Sequence, residues 1–359
     1  MNDDLQLNVS LLRRRVPNLT TAARAAGLRA ATVSNLCTGK IPVGRAEVRT
    51  IAILASLANC TIDELIIRGS GATMIETGVR VLDLLAPVVR GGTVGLVARH
   101  GMGQLVMLAE LFYRVKQRGY QTVLWEPRYD VDDKYNIQKA LAVDVQPYVD
   151  SVCGSLDDVY EQIIAFGSDC DVLLGADREI VVSGELLTLR ERLQEAGTRP
   201  LTVVLVDTRF NAPDEEVPYG PLDTLLRFDS DLASRKFFPA VDPVVSTSTV
   251  LEGAQLEAAH LMIQQRARKL LRRYRELRFV VEKRGIDKLP ESDAQTYVRG
   301  ERLEAYLTQP FYTAEPYTGK NGEWLTLQET LDSVRRIMDG AADEVDPQEL
   351  MYIGNFTKK

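Results

Sequence analysis

The chain has 359 residues, 45% hydrophobic and 26% charged, with a formal net charge of −7: an ordinary soluble globular balance, long enough for two or three domains. No segment approaches the ~20 unbroken apolar residues of a membrane helix, and the acidic Met1-Asn2-Asp3-Asp4 start, with no apolar run behind it, reads as no signal peptide. Cys37, Cys60, Cys153 and Cys170 lack Cys-x-x-Cys spacing, and His100 and His260 are the only histidines, so reduced thiols, no metal site and a cytoplasmic protein without membrane contact are expected. Charge is uneven: residues 1–70 hold 9 Lys and Arg against 5 Asp and Glu, the remainder 34 against 45. A basic head on an acidic body is the asymmetry expected when one end meets nucleic acid.

In chain order, Asn18-Leu19-Thr20-Thr21 opens a helix with a capping side chain that Ala22 to Ala26 continue. Gly27 makes a sharp turn, and Arg29 to Leu36 form a second helix closed by Thr38-Gly39-Lys40. Small Ala23 and Ala26 let the pair approach, and Leu28, Val33 and Leu36 fill its core. Residues 51–55 and 62–66 read as supporting helices, and periodicity before residue 69 is helical throughout. This run, over about residues 8–67, resembles the helix-turn-helix of the lambda- and Cro-like repressors. The resemblance implies a double-stranded DNA partner, with the second helix in the major groove. Arg29, Ala30, Ala31 and Asn35 would face base edges with Thr32 beside them, Arg29 suiting guanine and Asn35 adenine. Thr38, Lys40 and Arg13 to Arg15 are candidates for phosphate contacts. Such domains read paired half-sites as dimers, implying self-association; a helical protein-docking domain is the other reading.

Gly69-Ser70-Gly71 marks a linker over 69–73. Beyond it, apolar runs of strand length at 93–97, 122–125, 171–174 and 202–206 alternate with helical stretches such as 105–118 and 156–165, the pattern of a parallel α/β sheet. From about residue 249 the pattern is helical again. The expected organisation is multidomain: an all-α helix-turn-helix domain over 1–68, an α/β domain over 74–248 and an α-helical bundle over 249–359.

The segment Val94-Gly95-Leu96-Val97-Ala98-Arg99-His100-Gly101-Met102-Gly103-Gln104-Leu105 is a strand, a glycine turn and the start of a helix. A working Walker A loop needs Gly-x-x-x-x-Gly-Lys-Ser/Thr, whose backbone N–H groups and lysine hold phosphates and whose hydroxyl binds magnesium. Here Ala98 replaces the first glycine, Gln104 the lysine and Leu105 the hydroxyl. A neutral amide and an isobutyl group cannot replace a cation and a metal ligand, so a retained frame without its catalyst is expected.

Ile75-Glu76-Thr77-Gly78-Val79-Arg80-Val81-Leu82-Asp83-Leu84-Leu85-Ala86-Pro87 leads into that loop. Phe238-Pro239-Ala240-Val241-Asp242-Pro243, Leu307-Thr308-Gln309-Pro310-Phe311 with Tyr317-Thr318-Gly319, and Pro347 to Gly354 follow. In this order the four blocks resemble the catalytic beta subunit of the rotary ATP synthase, a RecA-type P-loop protein, over about residues 74–356. The resemblance implies an adenine-type nucleotide stacked among Phe238, Phe311 and Tyr317, with Arg99, His100, Gly101, Met102, Gly103, Gln104 and Leu105 forming the altered phosphate loop. Asp177 falls at a degenerate Walker B carboxylate and Glu126 nearest the catalytic glutamate; without the hydroxyl at position 105, magnesium is not expected. Aromatics beside prolines that merely pack a domain junction are the plainer reading. The basic stretch Arg266, Arg268, Lys269, Arg272, Arg273 and Arg275 reads as a solvated helix face or a second DNA-contacting surface. Three functions stand: a DNA-binding regulator, more readily a repressor, with a nucleotide-sensing body; an ATPase ring using Asp177 and Glu126; and a ligand-free scaffold.

Overall fold

The computed structural model describes residues 5–16, 18–37, 41, 43–68, 73–126, 145–209, 219–251 and 256–356. Thr38, Lys40 and residues 69–72 of the expected linker lie outside the described residues. By contact the chain divides into a smaller unit, residues 1–73 with 249–257, and a larger one, residues 74–248 with 258–359.

The smaller unit contains helices α1 (Val9–Arg15), α2 (Leu19–Ala25), α3 (Ala30–Cys37), α4 (Val48–Leu57) and α5 (Ile62–Leu65). Leu12, Ala23, Leu54 and Leu65 are fully buried at its centre, with Val33 and Leu36 beside them. The α2–α3 turn ends in a Schellman motif: Leu28 N donates to Ala23 O at 2.9 Å and Gly27 N to Arg24 O at 3.0 Å, satisfying carbonyls the helix leaves open. Gly27 has φ 84°, and a Cβ there would meet no atom, so the need for glycine is conformational and not steric.

Two local expectations fail in this unit. Asn18 makes no side-chain cap, its φ −111° and ψ 57° departing from the extended backbone that aims a capping oxygen at the first turn. Nor is the segment wholly helical: β1 (Leu5–Leu7) and β2 (Ile66–Arg68) pair antiparallel, Leu7 opposite Ile66. Ile66 was expected to end a helix, but the short apolar runs here satisfy their backbone groups across a ladder.

In the larger unit β3 (Met74–Ile75) and β4 (Val88–Val89) pair antiparallel, and β5 (Thr93–Val97), β6 (Gln121–Trp125), β7 (Ser151–Cys153), β8 (Val172–Asp177), β9 (Thr202–Val206), β10 (Thr224–Arg227) and β11 (Thr247–Ser248) form one sheet in the order β11-β10-β5-β9-β8-β6-β7. All neighbours are parallel except β10 and β11. Strands β5, β8 and β9 are buried at every residue, as expected where helices cover both faces. Alternation divides the side chains: Leu173, Val204 and Val206 enter one core, Val172, Leu174, Val203 and Leu205 the other. The second core is covered by helices Leu156–Phe166 and Glu185–Glu195.

The first core holds α6 (Arg80–Leu85), α7 (Gln104–Lys116) and the C-terminal helices Ala258–Arg284, Glu291–Tyr306 and Leu327–Met338. The bundle expected over 249–359 is not a separate core: its residues from Ile263 to Phe356 share one with the sheet. Helix Ala258–Arg284 buries Ile263, Ala267, Leu271, Tyr274 and Leu277, the three-and-four spacing of one helical face.

Candidate ligand-binding site

Strand β5 delivers the altered loop at the carboxyl end of the sheet, where open α/β sheets bind ligands. Gly101 and Gly103 take left-handed φ values of 79° and 89°, Gly103 acting as the N-cap of α7. Both glycines thus take backbone conformations that side chains rarely adopt. The side chains that follow turn away from the loop: Gln104 is 2% exposed, and its Nε2 donates to the Asp207 carbonyl at 2.9 Å. Its Oε1 has no partner among the described residues, a buried acceptor that costs about 1–3 kcal/mol. Leu105 packs partly buried against the first core, while Arg99 and His100 are exposed.

Asp177, at the end of β8, is buried and fully engaged. One oxygen accepts from Thr208 N at 2.9 Å and Thr208 Oγ1 at 2.6 Å, the other from Glu179 N at 2.9 Å. These bonds tie the segments that follow β8 and β9. Glu126 accepts from Gln146 Nε2 at 2.7 Å. No group of three or more metal-ligating side chains is found among the described residues.

Beside the glycine loop lies a cavity of about 500 Å³, within the usual size range of small-ligand sites. Gly101, Met102, Gly103 and Val106 line it from the loop and α7, and Phe238, Pro239, Pro310, Phe311 and Ala314 supply further apolar lining. Phe238 is 40% exposed and Phe311 8%. Two of the three predicted aromatics therefore meet the predicted loop around one space. Tyr317 does not line it: the single turn Glu315–Thr318 brings Thr318 to the cavity beside Ala314 and leaves Tyr317 77% exposed.

Sequence reasoning missed three further lining residues, Lys236, Lys320 and Tyr352. The Tyr352 hydroxyl donates to the Lys236 carbonyl and accepts from Phe238 N at 3.2 Å; Lys320 Nζ stands 4.1 Å from the Tyr352 ring centre. Burial pushes the Tyr352 phenol up, so it stays a neutral donor. Tyr352 lay within a quoted block, but nothing local marked its ring for the cavity.

Also missed was the device that sets the apolar wall. Glu110, fully buried on α7, accepts from Tyr312 N at 3.1 Å and Thr313 N at 2.9 Å. Its partner Arg114, 2.6 Å away, donates to the carbonyls of Gly78 at 2.9 Å and Glu323 at 2.8 Å. One helix thus carries the glycine loop at its start and holds the Phe311 segment from its middle. The signal available was a charged pair four residues apart on an otherwise apolar helix.

On the smaller unit, Arg29 and Ala31 are exposed at the start of α3, and Ala30, Thr32 and Asn35 half-buried. Arg15, a candidate phosphate contact, donates to the Asn59 carbonyl at 2.8 Å. Within the basic stretch of Ala258–Arg284, four side chains have internal partners: Arg266 with Asp339, Arg268 with the Leu85 and Ser246 carbonyls, Arg273 with Glu276 and Asp293, and Arg275 with Asp242.

No helix among the described residues is long and apolar enough to cross a membrane. The parallel α/β core fits the expected likeness to ATP synthase, and residues 252–346 match the family model described as the C-terminal domain of V and A type ATP synthase. The helical region that carries Phe311 and Lys320 is therefore ATP-synthase-like.

Proposed function

We propose that this protein is a DNA-binding regulator whose larger unit binds a ligand with a planar, adenine-type base and does not hydrolyse it. The observation that carries the reading is the cavity itself. Phe238 and Phe311 line it together with Gly101, Met102 and Gly103 of the glycine loop, while Gln104 is buried and Leu105 packs partly buried against the core. A ring face supplies about 1–3 kcal/mol of stacking per base, and a loop without cation or hydroxyl supplies no magnesium phosphate site. An ATPase using Asp177 and Glu126 has less support, because the Asp177 oxygens are already taken by Thr208 and Glu179.

The DNA-binding half rests on the Schellman turn between α2 and α3, on exposed Arg29 at the head of α3, and on the basic charge of residues 1–70. Self-association would let two such helices read paired half-sites. Ligand control requires that the ligand bind the DNA-competent and incompetent forms with different affinity.

The test is fluorescence-polarisation binding to fragments of the protein's own upstream region, with and without adenine nucleosides and nucleotides at fixed salt. Arg29→Ala/Asn35→Ala should abolish sequence-dependent binding. Phe238→Ala should remove only the ligand's effect. DNA binding that no ligand shifts would reduce the larger unit to a scaffold, and no DNA binding at all would end the regulator reading.

A further inference from the structure

The aromatic cavity has a neighbour. Lys236, Lys320 and Tyr352 also line a second cavity of about 720 Å³ whose other walls include Arg235, Glu301 and Asp346. The three residues therefore form a wall common to both spaces. Lys236 and Tyr352 hold left-handed φ values of 62° and 57° without being glycine, a conformation costing about 1–3 kcal/mol each unless the surroundings impose it. Here the bond from the Tyr352 hydroxyl to the Lys236 carbonyl joins the two strained residues.

The charges on this wall are unevenly committed. Arg235 is held by Glu304 at 2.8 Å and Asp231 at 2.9 Å, and Asp346 caps a short helix by accepting from Gln348 N at 2.8 Å. Lys236 and Lys320 are both exposed, and neither is ion-paired with a carboxylate among the described residues. On the glycine loop, where a phosphate-binding loop would place its lysine, Gln104 is buried and its amide N–H is spent on Asp207. The cationic side chains that line the cavity are thus Lys236 and Lys320, and the loop contributes none.

We infer that the ligand's negative charge sits at the Lys236–Lys320 wall and not at the glycine loop. The site then selects a nucleoside monophosphate, its base against Phe238 and Phe311 and its phosphate towards the second cavity, over a magnesium triphosphate. This rests on the base-binding reading of the cavity. A compact dianion facing two ammonium groups gains from both, whereas the loop offers a triphosphate backbone N–H groups and no metal ligand.

Isothermal titration of the full chain with adenosine, AMP, and ATP with and without magnesium tests it, alongside Phe238→Ala and Lys236→Ala/Lys320→Ala. AMP should bind at least ten-fold more tightly than adenosine at low salt. The double lysine variant should lose that gain, binding AMP no more tightly than it binds adenosine, and ATP with magnesium should bind the wild type no more tightly than AMP. An unchanged unfolding midpoint for the lysine variant would show that its loss is not misfolding. Equal binding of AMP and adenosine, or a magnesium-dependent gain for ATP that ignores the lysines, would overturn the inference while adenosine binding sensitive to Phe238 left the base reading intact. No adenosine binding would remove both.

Discussion

Helix α7 has two regions with opposite histories. Its start follows the left-handed Gly103 cap and carries Gln104 and Leu105, which offer neither a cation nor a hydroxyl. Its middle, Glu110 to Arg114, keeps a fully buried ion pair whose hydrogen bonds reach Gly78, Tyr312, Thr313 and Glu323. Burying charge is expensive unless every donor and acceptor is met. A network this complete is therefore a strong commitment to holding the Phe311 wall in place. The difference teaches that the aromatic side of the cavity is structurally enforced, while the loop side is only a turn.

The largest effect should come from breaking the enforced side. Arg114→Ala leaves Glu110 buried and unpaired, and should destabilise the larger unit by about 3–5 kcal/mol. Both tryptophans, Trp125 and Trp324, lie in that unit, so their fluorescence follows its unfolding. A loss below about 1 kcal/mol would mean that water or a rearranged partner replaces the pair, and the contrast would weaken.

The lead-in to the loop tests the same enforcement through pH. Asp83 accepts from Thr77 N at 2.9 Å, Thr77 Oγ1 at 2.7 Å and Gly78 N at 2.7 Å. Burial outweighs these bonds and pushes its carboxyl up to about 7 from 3.8. The fold thus favours the protonated form, and this contribution is complete below about pH 4 and lost as pH rises to about 7. Unfolding midpoints should show this fall in the wild type relative to Asp83→Asn, which has no proton to lose there. Parallel profiles for the two proteins would count against it.

Replacing Phe238 probes the cavity with little damage to the core, since its ring is 40% exposed. Phe238→Ala should weaken adenosine binding by about thirty-fold, the middle of the 1–3 kcal/mol expected for one stacked base. Phe311→Ala should lose binding as well, but at a cost of about 3–5 kcal/mol in stability. An unchanged affinity in Phe238→Ala would place the base elsewhere.

These expectations separate what one sequence can reveal from what it cannot. The glycine turn, the strands alternating with helices and the Phe238 and Phe311 blocks are local patterns; the strands form the mostly parallel sheet, and the turn, Phe238 and Phe311 line one cavity. Tyr317 failed because one turn of helix decides which of its residues face inward, and four residues carry too little pattern to set that phase. Lys236, Lys320 and Tyr352 converge from segments far apart, so only the fold could bring them together. Asn18 had a capping residue's chemistry without a capping residue's backbone.

The smallest effect should come from mending the loop. Gln104→Lys with Leu105→Thr restores the side chains that a phosphate loop uses at these positions. If the loop had lost only letters, magnesium-dependent ATP binding should then rise by orders of magnitude. We expect a change within about five-fold, under about 1 kcal/mol, for two physical reasons. A hydroxyl at position 105 would need a carboxylate to share magnesium, and the Asp177 oxygens are bonded to Thr208 and Glu179 at 2.6–2.9 Å. A lysine at position 104 would start from a site that is 2% exposed and directed at the Asp207 carbonyl, not at the cavity. Titration with ATP, with and without magnesium, decides between the two outcomes. A large magnesium-dependent gain would show that the surrounding shell still serves a phosphate, and the division between an enforced wall and an idle turn would fall.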